Sequence, residues 1–243
     1  MHCIDKIYTK QPYYGYRRMH AHVASEGYVV GEKRIRTLMK QMGLYAVYPG
    51  KKRQCLADNA CIYPYRLRYV VIEKPNQVWA TDITYIRLKG GFAYLIAIMD
   101  WYSRYVISWR LSPTLHTAFC LDALNDALKQ PAPVFFNTDQ GVQFTSIDFT
   151  QMLLDNGVRV SMAGKGRCFD NIFTERLWRS LKQENIYISD YETFEDAKAG
   201  IDTYWQIYNT ERRHQSLNYL TPHDVHHGDS ALRAQINPIH QFN

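Results

Sequence analysis

After Pro75 the apolar residues stop recurring at helical spacing and begin to alternate, and this change of period constrains the fold more than any other feature of the chain. Gln77 to Leu88 sets Trp79, Thr81, Ile83 and Tyr85 against Ala80, Asp82, Thr84 and Ile86, the period of two that sends successive side chains to opposite faces of a strand. Lys89-Gly90-Gly91 supplies a turn, a very apolar strand follows from Phe92 to Met99 and ends at Asp100, and a third runs from Tyr105 to Leu111. Helical spacing returns in Thr117 to Lys129, which Pro131 and Pro133 terminate. Val134 to Asn137 reads as a short buried strand. Ser146 to Asn156 reads as a helix with a capping serine and Asp148 in its first turn, and Val158 to Met162 as a further strand. With the helix around Glu175 the order is β-β-β-α-β-α-β-α, an α/β fold built on a mixed five-stranded sheet flanked by helices.

Three acids in this array ask for a physical explanation. A carboxylate amid apolar neighbours on a strand costs free energy unless it is paired or holds a cation, and Asp82 lies in the middle of the first strand. Asp139 sits where Val134-Phe135-Phe136 runs into Asn137-Thr138-Asp139-Gln140-Gly141, a strand ending in a turn. Glu175 lies 35 intervening residues further on. It is expected on a helix whose Phe173, Leu177 and Leu181 form a buried stripe, with Glu175, Trp178, Arg179 and Lys182 on another face. Were the fourth strand to lie beside the first, Asp82 and Asp139 would be neighbours and Glu175 would supply a third oxygen donor, a set suited to Mg²⁺. Asp100 competes as a strand-end acid, but Arg104 is close enough in sequence to pair with it.

The front of the chain has a different character. Residues 1 to 68 carry 13 Lys or Arg against 4 Asp or Glu, a net of +9, whereas the remainder is slightly acidic. A basic front third suggests a polyanionic partner. Residues 1–48 read as short helices: one to Tyr8, one opened by Tyr14-Gly15-Tyr16-Arg17-Arg18 and ended at Gly27, and one from Glu32 to Met42 stopped by Gly43. The third places Arg34, Arg36 and Lys40 largely away from Ile35, Leu38 and Met39, which suits a helix-turn-helix whose last helix enters a DNA groove. Tyrosines cluster here and are expected to fill the small core. Residues 49–75, with Pro49-Gly50-Lys51-Lys52-Arg53, read as a basic linker. Lys165-Gly166-Arg167 lies in a loop before the acidic helix, where cations could hold DNA.

Five cysteines with no Cys-x-x-Cys pair indicate neither a disulfide framework nor a zinc ribbon, and fit a reducing cytoplasm. The longest apolar run, Ala93 to Met99, falls far short of the roughly 20 residues of a membrane span. Phe194, Ala197, Ile201, Tyr204 and Trp205 mark a further helix, His223, His226 and His227 read as an exposed helix end rather than a metal site, and residues 228–243 as a tail.

Taken together, Trp79-Ala80-Thr81-Asp82-Ile83-Thr84-Tyr85, Asn137-Thr138-Asp139-Gln140-Gly141, and Asp170-Asn171 ahead of Glu175-Arg176-Leu177-Trp178, with Lys182 seven residues past the Glu, resemble the bacterial insertion-sequence transposases that carry a retroviral-integrase-type core. The likeness extends to the Tyr14-Gly15-Tyr16-Arg17-Arg18 segment and to Tyr208-Asn209, Arg213-His214-Gln215-Ser216-Leu217 and Thr221-Pro222, so it covers nearly the whole chain. It implies a ribonuclease-H-like core over residues 76–227, and DNA cleavage and joining by phosphoryl transfer with two Mg²⁺ or Mn²⁺ ions. Asp82, Asp139 and Glu175 would be the metal-binding acids, and Lys182 would lie near the terminal bases. Arg179, Lys165, Arg167, Arg17, Arg18, Arg34, Arg36 and Lys40 are further candidate DNA contacts. Implied partners are double-stranded DNA at terminal inverted repeats and at a target, other copies of the chain on DNA, and an upstream-frame fusion segment, all in the bacterial cytoplasm on the nucleoid. The zinc-binding His-His-Cys-Cys module of retroviral integrases is absent, and Val142 stands where relatives often have a small polar residue. A related nuclease and an inactive DNA-binding regulator are the alternatives from other classes.

Overall fold

The structure is a computed structural model in which residues 1–47, 61–164 and 172–240 are described. They fall into two compact units, one within residues 1–55 and the other within 56–243.

The first unit contains α1 (His2–Lys10), α2 (Tyr16–Ser25) and α3 (Glu32–Gln41). Each helix buries a narrow stripe, and Ile4, Ile7, Met19, Val23, Ile35 and Met39 meet as the core. The tyrosines do not fill that core, contrary to expectation. Tyr8, Tyr14 and Tyr16 cover its margin, while Tyr13, Tyr28 and Tyr45 are exposed. A phenol at the margin keeps its hydroxyl near water and its ring on apolar neighbours. Gly27 and Gly43 follow α2 and α3 at φ of +87° and +68°, the left-handed conformation in which glycine ends a helix without side-chain strain.

The second unit opens with β1 (Val71–Ile72), and then comes the sheet that positions the acids: β2 (Val78–Leu88), β3 (Gly91–Asp100) and β4 (Val106–Ser112). After these come α4 (Thr117–Ala127), β5 (Phe135–Thr138), α5 (Ile147–Asp155), β6 (Arg159–Met162) and α6 (Ile172–Leu181). Lys182–Ile186 continues α6 as a π-helical turn, followed by α7 (Tyr187–Ser189), α8 (Phe194–Thr210), α9 (Pro222–His227), α10 (Ser230–Arg233) and β7 (Ile239–His240).

The main sheet has the order β4-β3-β2-β5-β6. β2, β3 and β4 form the antiparallel meander, and β5 pairs parallel with β2 and with β6. The chain therefore builds outward from β2 in one direction and then, after α4, in the other. Such a switch point leaves a crevice beyond the strand ends where ligands bind in open α/β sheets. β2 is covered on both faces. Trp79 faces α4 and α5 with Ile96, Phe119, Phe136 and Phe149, whereas Val78, Ala80 and Ile86 face α6 and α8 with Leu177, Leu181, Ile201 and Trp205. Ser146 caps α5 by accepting from the Phe149 N–H, as its position predicts.

Two stretches differ from expectation. Residues 61–75, expected as part of a linker, are packed onto the core: Leu67 and Ile72 are fully buried, the Cys61 N–H donates to the Thr145 carbonyl, and the Arg66 N–H donates to Ser161 Oγ. Residues 228–240 do not form a loose tail. β7 pairs with β1, Ile236 joins the core, and Tyr102 donates its hydroxyl proton to the Arg233 carbonyl. In both places isolated apolar residues find partners far away in sequence, which local composition does not reveal.

Candidate active site

The register of the sheet brings the two aspartates together. Ala80 pairs with Asn137 at the end of the β2–β5 ladder, so Asp82, two residues on in β2, lies near Asp139 in the turn just past β5, close enough for the Asp139 charge to act on it. Asp82 pairs on its other side with Ala97, which belongs to the core beneath α6 and α8. It therefore points to the side of the sheet on which Glu175 is carried by the first turn of α6.

Fixed donors aim each aspartate. The Ile83 N–H donates to Asp82 Oδ1 at 2.8 Å and the indole Nε1–H of Trp178 donates to Oδ2 at 3.1 Å. The Gly141 N–H donates to Asp139 Oδ1 at 2.9 Å. A Cβ added to Gly141 would come within 2.9 Å of that same oxygen, so the turn leaves no room for a larger residue without moving the carboxylate. Trp178 was expected on the acidic face of α6. It is instead buried among Leu177, Leu181 and the core, and reaches Asp82 from beneath.

The electrostatics match a cation site. Burial raises Asp82 to about 6, and the neighbouring charges of Asp139 and Glu175 push in the same direction against the Ile83 and Trp178 hydrogen bonds. The protein crowding Asp139 also raises that group, against the Gly141 hydrogen bond, even though one side of the carboxylate is exposed. Carboxylates whose ionisation is opposed by burial and by one another are relieved by a cation, and an all-oxygen donor set suits Mg²⁺ or Mn²⁺. Among the described residues no three potential ligands stand close enough together to grip an ion as they are. The fit lies in donor chemistry and shared face, with Asp82 and Asp139 as the nearer pair and Glu175 the weaker influence.

The other expected residues divide. Arg179 is exposed one turn beyond Glu175 and lines the same hollow, while Lys182 is half-buried at the start of the π-helical turn and does not line it. Arg17, Arg18, Arg34, Arg36 and Lys40 are all exposed on α2 and α3, and the Arg17 and Arg36 guanidinium groups each lie 5.6 Å from the Tyr16 ring. Lys165 and Arg167, with Asp170 and Asn171, lie outside the described residues.

Asp100 is a structural carboxylate, and its partner is not the one expected. It is fully buried and accepts from the Asn76 N–H and from the N–H and hydroxyl of Ser103, each at 2.7 Å. Arg104 turns away to lie 3.8 Å over the Phe173 ring and donates to the Trp101 carbonyl. His226 is also not on an exposed helix end. It is buried against Tyr105, ring centroids 4.7 Å apart, with Nδ1 2.9 Å from Ser103 Oγ.

Comparison with known proteins agrees with this architecture. Residues 72–168 and 156–222 match two families described as Integrase core domain, and residues 1–52 match the HTH-like domain family. A transposase for insertion sequence element IS629 of Shigella sonnei is 30% identical over 224 residues, which is 90% of this chain and 76% of the relative. Transposase InsF for insertion sequence IS3A of Escherichia coli K12 is 33% identical over 217 residues, 86% of this chain and 75% of the relative. Among solved structures, the HTLV-2 integrase catalytic core domain in complex with magnesium is similar with a TM-score of 0.51 at 19% identity, covering 63% of this chain and 98% of that one. A chain of the simian T-cell lymphotropic virus intasome in complex with a PP2A regulatory subunit gives 0.57 at 15% identity, covering 93% and 75%. These two likenesses show the fold.

Proposed function

This chain belongs to the insertion-sequence transposases that carry an integrase core domain, and from that membership we propose that Asp82, Asp139 and Glu175 form the centre at which it cuts and joins DNA strands. The activity is that of a DNA transposase, a polynucleotidyl transferase. The observation that supports the site assignment is the closeness of Asp82 to Asp139 and Glu175, whose charges both act on it, at the end of the β2–β5 ladder.

Asp82 and Asp139 would hold two Mg²⁺ or Mn²⁺ ions, with Glu175 completing the coordination of one. Bound there, such ions activate an attacking water or 3′-hydroxyl and stabilise the leaving oxygen of a phosphodiester. The protein's contribution is positional. The Ile83, Gly141 and Trp178 N–H groups fix the rotamers of the two aspartates, and the buried side of α6 anchors Glu175 through Leu177 and Leu181. Arg179 beside Glu175 offers a bidentate contact to phosphate. Lys182 would reach the terminal bases from beyond this hollow. The helical unit, with Arg17, Arg18, Arg34, Arg36 and Lys40 exposed, would hold the terminal inverted repeats. Two ends and a target require more than one copy of the chain on DNA, joined where needed by an upstream-frame segment. The relatives are bacterial, and this work would take place on the nucleoid.

The test is a metal-dependent nicking and strand-transfer assay on inverted-repeat duplexes with the full chain. Asp82→Asn, Asp139→Asn and Glu175→Gln should each lower both steps by about a hundredfold or more while leaving duplex binding in place. Strand transfer retained by Glu175→Gln would sink the assignment. Preferential cleavage of RNA–DNA hybrids would move the chain to the nuclease reading.

A further inference from the structure

Behind the acids, α6 forms one wall of a second cavity of about 550 Å³, and its chemistry is cationic and aromatic. Arg104, Arg176, Arg212 and Arg213 line it together with Phe173 and Tyr208. Among the described residues Arg212 is paired with a carboxylate, through two hydrogen bonds to Glu184 at 2.6 and 2.8 Å. The ion pairs among the described residues leave out Arg104, Arg176 and Arg213.

Arg104, Arg176 and Arg213 form no ion pair with a described carboxylate, Asp100 and Asp224 act on Arg104 and Arg213 only from a distance, and an anion entering the hollow would meet concentrated positive charge. Burial pulls the Arg104 guanidinium down to about 10, Tyr208 and Asp100 oppose that shift, and Arg176 adds a smaller push in the direction of burial. Arg104 also holds a left-handed φ of +63°, a conformation uncommon outside glycine that persists when surrounding structure enforces it. Its planar group is stacked on Phe173 and donates on one side to the Trp101 carbonyl, and a guanidinium has further N–H donors with which to meet a phosphate. The neighbouring hollow that contains Glu175 shares Arg176, Ser180 and Arg212 with this cavity, so the two adjoin along α6.

We propose that this arginine pocket binds a phosphodiester of the DNA strand that passes the acids, gripping the backbone between Arg104, Arg176 and Arg213 on the far flank of α6. The inference rests on the transposase reading for the nature of its ligand, and on the convergence of these guanidinium groups on one cavity for its place. It predicts a second backbone grip that does not depend on the metal centre.

The experiment compares the full chain with Arg176→Gln/Arg213→Gln, both exposed positions, and with Arg213→Lys. The measurement is binding of a random-sequence duplex in Ca²⁺ across a salt series, by fluorescence anisotropy. The double variant should bind about tenfold or more weakly, and the slope of log affinity against log salt should flatten by about 1 to 2, since each neutralised phosphate contributes about 0.9. Arg213→Lys, which keeps the charge, should retain the slope. An unchanged slope in the folded double variant overturns the proposal. In a parallel arm, inorganic phosphate is exchanged for chloride at equal ionic strength. Phosphate that raises the melting temperature of the wild type alone, with duplex binding unaffected in the double variant, would assign the pocket to a free anion and overturn the DNA reading. Loss of cleavage in Asp82→Asn with a normal salt slope separates failure of the catalytic assignment from failure of this one.

Discussion

Asp82 is ionised at neutral pH in surroundings that oppose its charge. Its value of about 6 in the folded chain stands above the ordinary 3.8, chiefly through burial. Between those two pH values the native state holds more protons than the unfolded state, so this group's contribution to stability is full below about pH 4 and declines as pH rises through 6. Asp82→Asn removes the ionisation. Without divalent metal, the variant should therefore be more stable than the wild type by about 1 to 2 kcal/mol at pH 7.5, with the advantage vanishing near pH 4 in urea titrations. A wild type that is equally stable relative to the variant at both pH values would show that the carboxylate is not under this strain. Gly141 gives the complementary prediction. Gly141→Ala places a methyl group against Asp139 Oδ1, and should weaken Mn²⁺ binding by about 10- to 100-fold while the Asp82 pH effect persists, as read by calorimetric titration.

At the scale of elements, α6 explains why some of the site was legible from the sequence and some was not. β2 declares itself through strict alternation and the Val134-Phe135-Phe136 run marks a strand that ends before Asp139, whereas the parallel pairing of β5 with β2 was a condition that only the structure supplies. The helix is subtler. A stripe counted at four-residue intervals, Phe173-Leu177-Leu181, drifts around a helix of 3.6 residues per turn. The buried stripe is Thr174, Leu177, Trp178 and Leu181, spaced three and four apart. That shift takes Trp178 from the acidic face to the core and makes its indole N–H a donor to Asp82. The packing of Leu67 and Ile72 was not legible, because it depends on partners distant in sequence. It follows that Leu181→Ala, at a fully buried position, should lower stability by about 2 to 5 kcal/mol, whereas Arg179→Ala should change it by less than about 0.5. Similar urea midpoints for the two variants would mean that α6 is not anchored as described.

The chain as a whole joins a small helical unit to a much larger sheet unit, and the two should differ in how readily they open. The described residues of the first unit include six buried apolar side chains at its centre, Ile35 among them at 1% exposure. A core of that size supplies only about 3 to 5 kcal/mol, comparable to the cost of one large-to-small substitution within it. Ile35→Ala should therefore unfold residues 1–47 at 37 °C and leave β2 and β3 intact, because their core is built from Trp79, Leu95, Ile96 and the helices on either face. Hydrogen exchange followed by mass spectrometry reads both outcomes at once: fast exchange across α1, α2 and α3, with unchanged protection in β2 and β3. Function should divide along the same line. On the proposed assignment of chemistry to the sheet unit and end recognition to the helices, metal-dependent nicking of random duplex should survive and the preference for inverted-repeat ends should disappear. Loss of protection in β3 alongside α3 would instead show one cooperative unit, and the division of labour between recognition and chemistry would have to be abandoned.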